Sequence, residues 1–241
     1  MVQRLWEIDV TRGIAVVLMV FYHLLFDLDY LGLAVLDFQH PPLLVLQRLV
    51  AFLFLSLVGV SLVLTRLKGV TAVENAKRAL GLFAIALLIT AATFVYPGPQ
   101  NGMIVFGIIH FIALAVLLGY FFTRLPAWFN LVAGVLVIGA GFWISALPPA
   151  NGPWLLWLGF VPAGFYTLDY YPLVPWFGVV LLGIFMGQVM DPFSKPISGK
   201  VAMPKLLAGF SYLGRNALAV YLVHQPILFG LLFGAKALLG V

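Results

Sequence analysis

Arg4-Leu5-Trp6-Glu7-Ile8-Asp9-Val10-Thr11-Arg12-Gly13 leads without a break into the apolar segment Ile14–Phe26, which encloses His23. Arg12 and His23 stand eleven residues apart. At about 100° per residue that is three turns plus about 20°, so both project from one face of a single helix. Ionisable groups inside a membrane are costly and face the bundle interior, so a line of them on one helix reads as a site.

Composition agrees with a membrane chain. With 63% hydrophobic residues and 9% charged, there is too little polar surface to cover a soluble globule. The reading is all-α: a polytopic membrane helical bundle forming one domain over residues 1–241, with about seven transmembrane helices. Spans are expected near 12–30, 43–65, 79–96, 103–122, 127–146, 173–190 and 215–238. The stretch 148–172 is rich in Gly, Pro and aromatics. Within it, residues 154–168 are expected to be re-entrant or interfacial. The first apolar stretch is full length and lacks a small-residue cleavage site, so it is expected to remain as a spanning helix. No cysteine is present, which excludes disulfides and thiolate chemistry.

Basic residues orient the bundle. If 154–168 does not cross, Arg66, Lys68, Lys77, Arg78, Arg124, Lys195, Lys200, Lys205 and Arg215 fall on the side of Arg4 and Arg12. Only Arg48 and Lys236 are left for the other side. The expected topology has a cytoplasmic N-terminus and an outer C-terminus. The net charge of +5 is then a topology signal. It makes no case for nucleic acid, because the positive residues lie in short juxtamembrane loops rather than on one stripe.

Polar residues sort by depth in this frame. Asp27, Asp29, Asp37, His40, Asn101, Asn151 and Asp169 gather at the outer ends, whereas His23, His110 and His224 lie inside helices. Asp27 follows His23 by four residues, close enough on one face to orient the imidazole as a general base. His224 precedes Pro226, which cannot donate to the Leu222 carbonyl and frees backbone acceptors nearby. Bland readings stand beside these. Buried histidines also glue helices, Arg12 can simply pair with Asp9 at i, i+3, and Trp154, Trp157 and Trp176 suit an outer aromatic belt. Arg66, Lys68, Lys77 and Arg78 suit lipid head groups. No metal-ligand spacing is present.

Several blocks carry a resemblance. They are Glu7-Ile8-Asp9-x-x-Arg12-Gly13-x-Ala15, Met19-Val20-x-Tyr22-His23 and Phe26-Asp27-Leu28, then Asn101-Gly102-x-Ile104-x-Phe106-Gly107-Ile108-x-His110, Pro172-x-x-Pro175-Trp176-Phe177-Gly178 and Tyr221-Leu222-x-His224-Gln225-Pro226. Together they closely resemble the bacterial and archaeal members of the heparan-alpha-glucosaminide N-acetyltransferase catalytic-domain family, over nearly the whole chain. The opening is also similar to that of the family-3 transmembrane acyltransferases, which share an Arg and a His eleven residues apart in the first helix. The chain is expected to depart from the lysosomal enzyme in having a minimal helix set and no lumenal domain, so the acceptor is not expected to carry over.

The resemblance implies a single transmembrane acyltransferase domain in a bacterial or archaeal cell membrane. It implies transfer of an acetyl group from cytosolic acetyl-CoA to a glycan or glycolipid acceptor, a sugar amine or hydroxyl, on the other side. Catalytic candidates are His23, Asp27, His110 and His224: His23 as base, Asp27 as its orienting partner, and His110 or His224 as oxyanion donor. The CoA phosphates are expected beside Arg12, with Asp9, Arg4 and Arg78 in support. The acceptor is expected near Asn101, Trp176, Gln225 and Tyr221. A direct ternary mechanism is preferred, and an acetyl-histidine intermediate is equally compatible with the sequence. Membrane lipids are further partners, and a homodimer is admitted. The rival class is a small proton-coupled transporter whose histidines form a relay, although duplicated halves are not evident.

The topology is tested by cysteines introduced singly and labelled from outside in intact cells. Positions 101 and 151 should label and positions 68 and 200 should not; labelling at 200 would overturn the seven-span reading.

Overall fold

The computed structural model describes residues 5–95, 102–190 and 203–239. Among the described residues there are eight α-helices: α1 (Trp6–Tyr30), α2 (Leu43–Leu67), α3 (Ala72–Val95), α4 (Ile108–Phe122), α5 (Ala127–Ser145), α6 (Leu173–Val189), α7 (Ala208–Arg215) and α8 (Ala217–Leu239). Single 3-10 turns stand at Pro153–Leu155 and Lys205–Leu207. Among the described residues there is no strand, and β pairing is confined to the isolated bridges Phe106–Tyr170 and Ala150–Pro162. The protein is an integral membrane protein. Five helices, α1, α2, α3, α5 and α8, are long and apolar enough to cross a bilayer. The apolar helices α4 and α6 are shorter, at 15 and 17 residues.

Two compact units divide the described residues, one of 55–95 with 102–190 and the other of 5–54 with 203–239. In the first, α5 packs on α6, α3 on α4, and α4 on α6. Its core is built on Leu55, Phe111, Val116, Val180, Leu181 and Ile184, all essentially without exposed surface. Glycines set the helix spacing. A Cβ added to Gly183 would stand 2.1 Å from the Ser56 carbonyl oxygen, and one on Gly59 would stand 2.2 Å from that of Val180. Gly134 and Gly178 face each other's backbone in the same way across α5 and α6. Such close approach is how helices gain packing energy where lipid supplies no hydrophobic drive.

The expected span at 103–122 begins later than its hydropathy suggests. Residues 103–107 are not helical, and α4 opens at Ile108, whose amide donates to Asp169 Oδ2 at 2.8 Å. This carboxylate caps the helix from the 146–172 connection, and Gly107 leaves it room, since a Cβ there would stand 2.3 Å from Oδ2. Thr167 adds a second tie, its hydroxyl donating to the Met103 carbonyl at 2.7 Å. Residues 156–172 form turns and irregular chain rather than a helix.

In the second unit α1 packs on both α7 and α8. A Cβ on Gly13 would lie 1.9 Å from the Phe210 carbonyl oxygen, and one on Gly214 would lie 1.8 Å from that of Asp9, so α1 and α7 meet backbone to backbone. At the other end of α1, Lys236 near the C-terminus of α8 donates to the Leu31 carbonyl at 2.6 Å. Because the start of α1 meets α7, which leads into α8, and its end meets the end of α8, α1 and α8 run parallel. The expected span at 215–238 is found as α8: Arg215 closes α7, Asn216 turns the chain with its side-chain amide on the Tyr212 carbonyl at 2.9 Å, and the spanning helix runs Ala217–Leu239.

Two outcomes follow. Gly183→Ala should cost about 1–3 kcal/mol of stability through overpacking against Ser56, read as a lowered melting temperature in detergent. Gly81→Ala, with open space around it, should leave melting unchanged or raise it slightly. Burial pushes the Asp169 carboxyl from its ordinary 3.8 up to about 6, against the pull of the Ile108 amide. The protonated form is the one that the fold favours, so this contribution is complete below about pH 4 and is lost as pH rises through about 6. Wild-type melting should fall over that interval relative to Asp169→Asn, and equal slopes would refute it.

Candidate functional site

The second unit gathers most of the expected residues, on α1 and α8, in two clusters. The first lies at the start of α1. Asp9 is buried, at 4% exposure. Arg12 Nη1 stands 3.4 Å from its Oδ1, the expected i, i+3 pair, and Arg215 Nε from α7 stands 3.4 Å from its Oδ2. Arg12 also reaches the Gly214 carbonyl at 3.5 Å. Nothing in the sequence spacing pointed to Arg215, because 202 residues separate Gly214 from Arg12 and only the α1–α7 contact joins them. Arg4 lies outside the described residues.

The second cluster lies further along α1. His23 Nδ1 stands 2.9 Å from the Met19 carbonyl oxygen. A carbonyl only accepts, so Nδ1 carries the hydrogen and a neutral His23 presents a bare lone pair at Nε2. His224, on α8, repeats the arrangement: its Nδ1 lies 2.7 Å from the Tyr221 oxygen and 3.2 Å from that of Val220, and its buried Nε2 has no partner. The two rings meet edge to face with centroids 4.7 Å apart. The carbonyls used lie one turn back, so the Leu222 acceptor freed by Pro226 is not the one that holds this ring. Tyr221 contributes that carbonyl and also lies ring to ring with His224 at 5.7 Å.

Asp27 takes a different partner from the one its spacing suggested. No hydrogen bond joins it to His23; instead Gln225 Nε2 donates to Asp27 Oδ1 at 2.6 Å. The cause is geometric. A helical histidine can turn Nδ1 back onto its own i−4 carbonyl, which leaves nothing for a carboxylate one turn ahead to accept. Asp27 is buried at 1% exposure, and both its Oδ2 and Gln225 Oε1 lack partners. His224 Nε2 is an acceptor until protonated.

His110 belongs to the first unit. Its Nε2 stands 3.2 Å from Thr90 Oγ1, whose single hydrogen goes to the Ile104 carbonyl at 2.7 Å. Nε2 of His110 is therefore the donor in that pair, and Nδ1 holds the lone pair. Trp176, also in this unit, packs beside Tyr171 with ring centroids 5.1 Å apart. Arg78 lies exposed on α3. Asn101 lies outside the described residues. His40, in the connection after α1, pairs with Asp37 at 2.6 Å on an exposed surface, as a loop histidine does.

A family model for the catalytic region of heparan-alpha-glucosaminide N-acetyltransferase covers residues 4–226, taking in both clusters of the second unit and the whole of the first. Neither the curated proteins nor the solved structures yield a match. With that model spanning nearly its whole length, the chain belongs to the heparan-alpha-glucosaminide N-acetyltransferase catalytic family.

Proposed function

We propose that the protein is a membrane acetyltransferase that takes its acetyl group from acetyl-CoA and passes it to a sugar amine or hydroxyl of a glycan or glycolipid. The observation that carries this reading is the His23 imidazole, held at Nδ1 by the Met19 carbonyl and bare at Nε2. A base oriented by a backbone acceptor has its proton-accepting atom fixed in tautomer and direction, the role that a carboxylate plays in a catalytic triad. The donor's phosphates lie on the cytoplasmic side with Arg12, and the acceptor comes from the outer side, in the topology with a cytoplasmic N-terminus.

In the reaction His23 Nε2 removes the proton from the acceptor N–H or O–H as that atom attacks the thioester carbonyl carbon. A C–N or C–O bond forms, the carbonyl π electrons move onto oxygen, and the tetrahedral adduct collapses with cleavage of the C–S bond. The proton on His23 then passes to the departing thiolate, giving CoA and the acetylated acceptor. Bare acceptors surround the other side of the site: Asp27 Oδ2, Gln225 Oε1 and His224 Nε2. An acceptor rich in N–H and O–H groups satisfies such a set, whereas an anion would be repelled. Asp27 and Gln225 then act on acceptor binding.

His23→Ala should abolish turnover while leaving CoA affinity near normal, since the base acts on the acceptor. Arg12→Ala should weaken CoA binding by about 1.5–3 kcal/mol, and Arg12→Lys should recover only part. Asp27→Asn should raise the acceptor KM with a smaller effect on kcat. Near-normal acetyl transfer by a folded His23→Ala protein would assign the base to another helix.

A further inference from the structure

We propose that Arg215 is a second phosphate-binding residue for CoA, and that Asp9 is a positioning residue that holds Arg12 and Arg215 as a pair, one guanidinium on each carboxylate oxygen. The inference rests on the reading of the donor as acetyl-CoA and deepens it. Asp9 is a poor phosphate ligand itself, being an anion at 4% exposure. The Arg215 contact uses Nε at 3.4 Å, long for a charged hydrogen bond, which runs about 2.7–2.9 Å, so the Nη groups of that guanidinium lie outside this pair. Each carries five N–H donors in a planar fork suited to phosphate oxygens. One carboxylate shared by two guanidiniums leaves the group with a net charge of about +1.

Three further features favour an anion at this end. Gly13 and Gly214 bring α1 and α7 into backbone contact, which fixes the spacing of the two arginines. Ser211, one helical turn before Arg215 on α7, is 1% exposed, and its hydroxyl has no partner. Trp6, one turn before Asp9 on α1, has a buried indole N–H that also lacks one. Unsatisfied buried donors are costly unless a ligand answers them. The Arg215 side chain is 48% exposed, so a soluble nucleotide can reach it. A merely structural clamp between α1 and α7 accounts for the shared carboxylate but leaves these donors unanswered.

The test is equilibrium binding of CoA and of pantetheine, which lacks every phosphate, to the purified detergent-solubilised protein. Arg215→Ala should weaken CoA binding about 10–100-fold and leave pantetheine unchanged, with a shallower dependence of CoA affinity on salt. Arg215→Lys keeps the charge and the tie to Asp9 but loses the fork, so it covers failure of the alanine variant to fold. It should lose CoA affinity several-fold, again with pantetheine unaffected. Unchanged CoA affinity in a folded Arg215 variant, with Arg12→Ala impaired, overturns the proposal and spares the donor assignment. Equal losses for CoA and pantetheine make Arg215 a structural clamp. Absence of CoA binding by the wild type overturns the donor assignment itself.

Discussion

In hydrocarbon a polar group has only the protein to bond with, and this constraint orders the second unit. His23 and His224 each answer it locally, by turning Nδ1 onto a carbonyl of their own helix. That choice fixes both tautomers, so two rings with centroids 4.7 Å apart each keep a bare Nε2. It also releases Asp27, which Gln225 then claims. Two facing lone pairs and a set of buried hydrogen-bond acceptors thus follow from where two ring hydrogens go.

The same constraint separates the clusters along α1 by polarity. At the Asp9 end the unanswered buried groups of Ser211 on α7 and Trp6 on α1 can donate, as can the two guanidiniums paired with Asp9. Around Asp27 those of Asp27 and Gln225 accept, along with the His224 lone pair. In the proposed reaction a phosphate-bearing acetyl donor would suit the first set and a hydroxyl- or amine-bearing acceptor the second, with the arm that carries the thioester running along the line from Arg12 to His23.

Much of this was legible in the chain. Composition and the length of the apolar runs required a helical membrane protein, because no soluble fold can cover that much apolar surface. The eleven-residue interval aligned Arg12 with His23, and the three-residue interval paired Arg12 with Asp9. Both are properties of one helix, and helical periodicity is fixed by the backbone alone. The Gly-, Pro- and aromatic-rich connection likewise declared itself unfit for a spanning helix.

What spacing misjudged were the contacts in which several partners compete or distant segments meet. Asp27 lay at the right interval for His23, but the Met19 carbonyl was nearer and Gln225 arrived from another helix. Asp169 capped α4 from a connection 61 residues away, shortening a span that hydropathy had placed at 103. Arg215 read only as a topological charge until glycine contacts brought α7 onto α1. The sequence by itself determined the helices and the residues each one carries, because those depend on local periodicity and on the cost of exposing backbone in lipid. Only the tertiary structure decided which oxygen or nitrogen each polar group uses, because that depends on helix packing, which no interval along the chain records.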